Sequence, residues 1–132
     1  MIKRVTTKFN ARILVVDDYV ETQVLTKFLL EKMDCQVDVA EDGLEALEMW
    51  GKTDYDAILM DVQLPELDGY ETTRRIRKSE ISGKRTPIIA LTANALEGDR
   101  EKCLKAGMDD YVAKPFRGED IEKVLQKLLP ES

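Results

Sequence analysis

Three aspartates, one threonine and one lysine stand where short apolar runs of this chain end. Asp17 and Asp18 follow I-L-V-V at 13–16, and Asp61 follows A-I-L-M at 57–60. Thr92 follows P-I-I-A-L at 87–91, and Lys114 follows D-Y-V-A at 110–113 and precedes Pro115. Brought together, three carboxylates repel one another unless a cation joins them. Hard oxygen donors suit Mg2+, which takes a few carboxylates, keeps several waters and accepts a phosphate oxygen. A lysine opposite adds a second positive charge, and a threonine adds a hydroxyl donor, where phosphoryl oxygens would sit. The chain has no histidine. That removes the commonest zinc ligand and any histidine general base.

Taken singly, each of these residues has an ordinary use. An aspartate at a strand end forms a turn or caps a helix, Thr92 before Ala93 and Asn94 can cap a helix, and Lys114 can be a solvated lysine before a turn proline. Four of five run ends carrying matched chemistry is what a shared site would produce.

The elements that must position them follow from periodicity. The runs at 12–16, 57–60 and 87–91 are nearly continuous in apolar character, which predicts strands covered on both faces. The run Q-V-D-V-A at 36–40 alternates and predicts an edge strand, and the run at 110–113 predicts the fifth. Between them, Val20, Val24, Leu25, Phe28, Leu29 and Met33 recur at helical spacing, as do Leu44 and Leu47 with Trp50. Asp42 and Glu45 have the spacing of a capping box. Tyr70, Thr73, Ile76 and Arg77 mark a third helix with a weaker apolar face. Leu96, Cys103, Leu104 and Met108 mark a fourth, closed by Gly107, and Ile121, Leu125, Leu128 and Leu129 a fifth. A repeated β-α pattern demands a parallel sheet with helices on both faces. In such sheets the functional site lies beyond the carboxyl ends of the strands, at a point where strand order reverses.

The chain has 132 residues, 43% hydrophobic and 35% charged, which fits one soluble domain with one core. Its net charge of -6 gives no general pull toward nucleic acid or anionic lipid. Arg74, Arg75, Arg77, Lys78, Lys84 and Arg85 form a local basic run, read as a solvated face with partner docking as the alternative. No apolar run is long enough to insert in a membrane, and no secretory signal is present. Cys35 and Cys103 lack metal spacing and read as buried thiols in a reducing, cytoplasmic setting. Residues 1–10 read as a lead-in or linker remnant, and 11–130 as the domain.

At the level of motifs, the chain resembles the receiver domains of two-component response regulators. The resemblance rests on I-L-V-V-D-D at 13–18, A-x-D-G-x-E-A-L at 40–47, D-V-Q-L-P-E-L-D-G at 61–69, L-T-A-N-A at 91–95 and K-A-G-M-D-D-Y-V-A-K-P-F at 105–116. It implies a doubly wound, flavodoxin-like (βα)5 sandwich whose five parallel strands run in the order 2-1-3-4-5. It implies that Asp61 is the phosphoacceptor, and that Asp18, Asp17, Asp61 and the backbone carbonyl of Gln63 hold Mg2+. Lys114 would bridge to the phosphoryl oxygens, with a cis bond to Pro115. Thr92 and Tyr111 resemble the family's switch pair, while Gln63 and Asn94 occupy positions that tune access of attacking water. The donor would be a histidine kinase or histidine phosphotransfer protein. The face of helix 4, strand 5 and helix 5 would meet an output domain or a second copy. Such a domain catalyses its own phosphoryl uptake and hydrolysis without being a turnover enzyme. The wording at 61–69 and 91–95 is most similar to receivers carried by hybrid sensor kinases.

Three other readings are weaker. A metabolite phosphatase working through an aspartyl phosphate needs a second carboxylate two residues after the nucleophile, where this chain has Gln63. A nucleotide-binding module needs a glycine-rich loop after the first strand, where this chain has D-D-Y-V-E. A docking module of the same fold that never carries phosphate is separated from the main reading by a phosphorylation assay.

Overall fold

The computed structural model describes residues 8–81, 83–93 and 97–129. Five strands alternate with five helices: β1 (Arg12–Val16), α1 (Val20–Glu31), β2 (Gln36–Ala40), α2 (Gly43–Lys52), β3 (Ala57–Asp61), α3 (Gly69–Ser79), β4 (Ile88–Thr92), α4 (Glu97–Ala106), β5 (Asp110–Ala113) and α5 (Gly118–Leu128). All four strand pairings are parallel and the order is β2-β1-β3-β4-β5. This is the flavodoxin-like sandwich expected from the motifs, with the alternating strand β2 at an edge.

Strand alternation sorts the apolar residues into two layers. Ile13, Val15, Leu59, Ile89 and Leu91 pack against Leu30 of α1 and Ile121, Val124 and Leu125 of α5. Leu14, Val16, Ile58, Met60, Ile88 and Ala90 face Ala46 of α2, Ile76 of α3 and Cys103 of α4. β3 and β4 are buried along their whole length. Fixing the central strands on both faces leaves their carboxyl ends little freedom to move.

Two strands end one residue further along than the apolar runs. Asp61 and Thr92 are the last residues of β3 and β4, not the first residues after them. Pro87 lacks an N–H, so it joins the ladder only as acceptor, with Ile58 N donating to its carbonyl at 2.9 Å. Asp61 and Thr92 therefore take their backbone positions from the sheet.

Helix 1 differs from its sequence pattern in orientation. Val20, Val24, Leu25 and Phe28 are all exposed, and within α1 the fully buried residues are Thr26 and Leu30. Thr26 tolerates burial because its hydroxyl donates to the Thr22 carbonyl at 2.7 Å. At the start of α2, Asp42 accepts from Glu45 N at 2.8 Å, while Glu45 reaches back to Glu41 N at 2.7 Å, one residue before the cap. Packing begins ahead of Ala11: Phe9 is buried in the first core and its N–H donates to Met33 O at 2.9 Å. Among the described residues no helix is long and apolar enough to cross a membrane.

Candidate functional site

The carboxyl ends of β1, β3, β4 and β5 converge where strand order reverses between β1 and β3. Asp17 leaves β1 fully buried, and its N–H donates to Ala40 O of β2 at 3.1 Å. Its Oδ1 accepts from Tyr19 N at 2.8 Å, an Asx-type turn that fixes the carboxylate and leaves Oδ2 aimed inward. Asp18 is exposed at the rim. Asp61, only 6% exposed, uses the same device: Oδ1 accepts from Gln63 N at 2.9 Å.

Lys114 reaches this group from the turn after β5. Its ammonium donates to Asp61 Oδ2 at 3.1 Å and to Asp17 Oδ2 at 3.3 Å. The Lys114–Pro115 peptide is cis, and Lys114 N donates to Thr92 O at 2.7 Å. Carboxylate oxygens of Asp17, Asp18 and Asp61 all lie within 4.8 Å of one another.

The electrostatics follow from burial. Desolvation pushes the Asp61 carboxyl above the usual carboxylate range, opposed by the Gln63 N–H and by Lys114. For Lys114, burial works against the charged form, but its hydrogen bond and attraction to Asp61, joined by Asp17, prevail and raise it. One ammonium faces three carboxylates, so the cluster retains negative charge. Every donor is a hard oxygen and no imidazole or thiolate is among them, which fits Mg2+ and not a soft metal.

The loop from β3 to α3 brings the helix start close against the strand end. Asp68 caps α3 by accepting from Glu71 N at 2.8 Å. Gly69 then lets the helix start against the end of β3: a Cβ there would lie 2.3 Å from the carbonyl oxygen of Asp61 and 2.8 Å from Val62 Cα. Glu66, within the same loop, adopts a left-handed backbone with φ of 63°.

Thr92 is buried at the end of β4, its hydroxyl 3.5 Å from Asp99 Oδ2 of α4. Tyr111 is half-buried on β5 and packs against the second core. It also lines a groove of about 500 Å3 with Arg100, Lys123 and Lys127. Asn94 lies outside the described residues. Asp17, Asp18, Asp61 and Lys114 are thus brought together, Gln63 borders them, and Tyr111 lies behind Thr92 on the neighbouring strand, paired with Ala90. Two features escaped the sequence reading. Asp99 as the partner of Thr92 had no signal, being seven residues away and on the following helix. The exposed stripe on α1 was visible as a helix but not as a surface.

Residues 13–126 match the model of the response regulator receiver domain. The chain belongs to that family. It is 36% identical to the probable histidine kinase 1 of Oryza sativa subsp. indica, covering 92% of this chain and 16% of that protein. The chain therefore spans a small part of the curated relative. The receiver domain of sensor histidine kinase PA1611 from Pseudomonas aeruginosa PAO1, solved with a magnesium ion coordinated in its active site cleft, is 48% identical with a TM-score of 0.81. That match covers 89% of this chain and 96% of the other. A receiver domain from a Saccharomyces cerevisiae response regulator, crystallised with a histidine phosphotransfer signaling protein, is 30% identical with a TM-score of 0.83. It covers 95% of this chain and 91% of the other. The receiver domain identified here thus carries an acidic pocket of Asp17, Asp18 and Asp61 at the carboxyl edge of its sheet.

Proposed function

We propose that this receiver domain takes a phosphoryl group from a phosphohistidine onto Asp61. The observation that carries this is the placement of Asp61 Oδ2, 3.1 Å from the Lys114 ammonium and beside Asp17 and Asp18. Asp17, Asp18, Asp61 and the Gln63 carbonyl would hold Mg2+, which when bound supplies positive charge to the phosphoryl oxygens.

The residues of the chain do the rest. A carboxylate oxygen of Asp61 forms the new bond to phosphorus as the phosphorus–nitrogen bond of the donor breaks. The electron pair returns to the departing imidazole, which later takes a proton from water. Burial strips water from Asp61 and leaves Lys114 to meet charge on the transferred oxygens. The Thr92 hydroxyl exchanges its contact with Asp99 for the phosphoryl group. Tyr111 follows inward, and the face of α4, β5 and α5 changes shape for an output domain or a second copy. A bias of a few kcal/mol suffices for such a population shift. Gln63 and Asn94 set how fast water reaches the acyl phosphate, so the state decays by slow self-hydrolysis.

The donor is a histidine kinase or a histidine phosphotransfer protein. The exposed stripe of Val20, Val24 and Phe28 on α1 begins beside Asp17 and Asp18 and offers it an apolar landing face. We place the domain in the cytoplasm, where ATP-driven kinases work and where Cys35 and Cys103 stay reduced as free thiols.

Intact-mass spectrometry after treatment with acetyl phosphate and Mg2+ tests the reading. One added phosphoryl group is expected in the wild type and none in Asp61→Asn. Equal labelling of both would place the acceptor elsewhere. No labelling of folded wild type would leave a docking module that carries no phosphate.

A further inference from the structure

We infer that the groove between α2 and α3, away from the acidic pocket, is a docking site for an acidic peptide segment of a partner protein that carries bulky apolar side chains. Leu47, Trp50 and Gly51 of α2 and Arg75, Lys78 and Ser79 of α3 line this groove, whose volume is about 470 Å3.

Its floor is apolar and fixed. Leu47 and Trp50 are only partly buried against the second core. The indole is held in place by its N–H, which donates to Thr86 Oγ1 at 3.1 Å. Leu44, one turn earlier on the same stripe of α2, is 52% exposed.

The α3 side of the rim carries more positive than negative charge. Arg74 and Arg75 share the single carboxylate of Glu71, each at 3.3 Å. Lys78 is exposed beside them and, among the described residues, forms no ion pair with any carboxylate. Arg77 belongs to a different arrangement: it turns away to Glu80 and Asp109 at 2.7 and 2.9 Å. The basic run therefore divides into a structural part and a part directed at the groove. In a chain of net charge -6, a local basic rim over an apolar floor is complementary to acidic side chains flanking apolar anchors.

Gly51 is the second observation. It lies inside α2 with no left-handed backbone, and a Cβ built on it meets nothing within 4 Å. Neither conformation nor packing within the domain calls for glycine, and glycine weakens a helix. Its effect here is to leave the floor open between Trp50 and Lys78. The exposed carboxylates of Glu45, Glu48 and Asp54 lie within three residues of the groove residues Leu47, Trp50 or Gly51 in sequence. They oppose a long polyanion such as duplex nucleic acid but leave room for a short acidic segment.

Trp50 is the only tryptophan of the chain, so its emission and its indole N–H resonance report the site directly. The probes are a short synthetic peptide rich in Asp and Glu with two Leu, its counterpart with Lys in place of the acids, duplex DNA, and phosphatidylserine vesicles. The acidic peptide should shift the Trp50 signals saturably, and the basic peptide should not. Arg75→Glu combined with Lys78→Glu should weaken binding at least tenfold, as should Gly51→Phe, which fills the floor. All variants should keep the wild-type melting temperature within a few degrees and take up phosphate from acetyl phosphate normally. The double charge reversal is on the solvent face and keeps the test valid if Gly51→Phe folds poorly. Absence of a saturable shift with the acidic peptide, equal affinity in the charge-reversed protein, or a larger response to DNA or vesicles would overturn the proposal.

Discussion

The Asp61 carboxylate and the Lys114 ammonium stand 3.1 Å apart although 53 residues separate them and β4 runs between their strands. Neither side chain is placed by a neighbour in sequence alone. Asp61 is held by the end of a fully buried strand and by the Gln63 N–H. Lys114 is held by its own N–H on Thr92 O and by its ammonium on Asp17 Oδ2. A carboxylate so buried is costly to ionise, and a lysine tied to two carboxylates is the compensation.

That cost predicts a stabilising substitution. The folded-state pKa of Asp61 is raised above its unfolded value, chiefly by burial. The folded form then holds the proton more tightly than the unfolded form, so ionised Asp61 weakens the fold at neutral pH and the penalty disappears as pH falls below its raised pKa. Asp61→Asn, without metal, should raise the melting temperature at pH 7 by a few degrees, on the order of 1 kcal/mol for a chain of this size. The difference from wild type should shrink in acid, near the unfolded carboxylate range of about 4. Thermal denaturation across pH, with chelator present, checks it. A lower melting temperature for Asp61→Asn at pH 7 would show that the Lys114 ion pair outweighs desolvation.

Metal binding should depend on the exposed carboxylate as well as the buried ones. Asp18 is within ligand range of Asp17 and Asp61 and, unlike them, is exposed. Asp18→Asn should leave stability within about 0.5 kcal/mol, as exposed substitutions do. It should weaken Mg2+ at least tenfold and slow labelling by acetyl phosphate accordingly. Titration followed by amide resonances around Asp61 decides the matter, and unchanged Mg2+ affinity would remove Asp18 from the ligand set.

The apolar stripe of α1 predicts a separation between two kinds of donor. Val24 is 63% and Phe28 53% exposed, with the Lys32 ammonium 4.6 Å from the Phe28 ring centre. Val24→Glu and Phe28→Glu should each slow transfer from a phosphohistidine protein about tenfold or more. Labelling by acetyl phosphate, which needs no protein surface, should be unchanged. Parallel rate measurements with the two donors make the comparison, and equal slowing of both would locate the defect in the site itself.

Much of this was legible in the sequence, for identifiable reasons. The strand ends could be read because near-continuous apolar runs stop at Asp17, Asp61, Thr92 and Lys114, and a parallel sheet must gather such ends at one edge. The facing of α1 could not be read. Val20, Val24 and Phe28 have helical spacing whichever side they present, and the buried position Thr26 looks polar until its hydroxyl is seen on the Thr22 carbonyl. Thr72 hides in the same way, its hydroxyl donating to Asp68 O at 2.8 Å. The sharing of Asp109 between Arg77 and Arg85 was equally hidden, because it links α3 and the segment before β4 to the turn before β5 across 32 and 24 residues. A run of basic residues does not announce which of its members will be turned inward.

Two glycines on adjacent helices should respond to alanine in opposite directions, and the contrast tests how the site is held. At Gly69 an added Cβ would meet the Asp61 carbonyl oxygen at 2.3 Å, Val62 Cα at 2.8 Å and the Asp61 carbonyl carbon at 3.0 Å. All three are backbone atoms of the strand end that carries Asp61, so no side chain can swing aside. Either the first turn of α3 moves away, breaking the Gly69 N–Val62 O hydrogen bond of 3.2 Å, or the Asp61 backbone moves and carries its carboxylate off Lys114. Both routes cost stability, about 1–3 kcal/mol by comparison with other overpacked sites. The second also slows phosphoryl uptake, because a displacement near 1 Å is worth about a hundredfold in rate. At Gly51 the same methyl meets open space in an ordinary helical backbone, so alanine should stabilise by about 0.5–1 kcal/mol and leave uptake unchanged. Urea denaturation and the rate of labelling by acetyl phosphate, measured on both variants, read the two effects. If Gly69→Ala matched wild type in both, the close approach of α3 to the end of β3 would not be what positions Asp61.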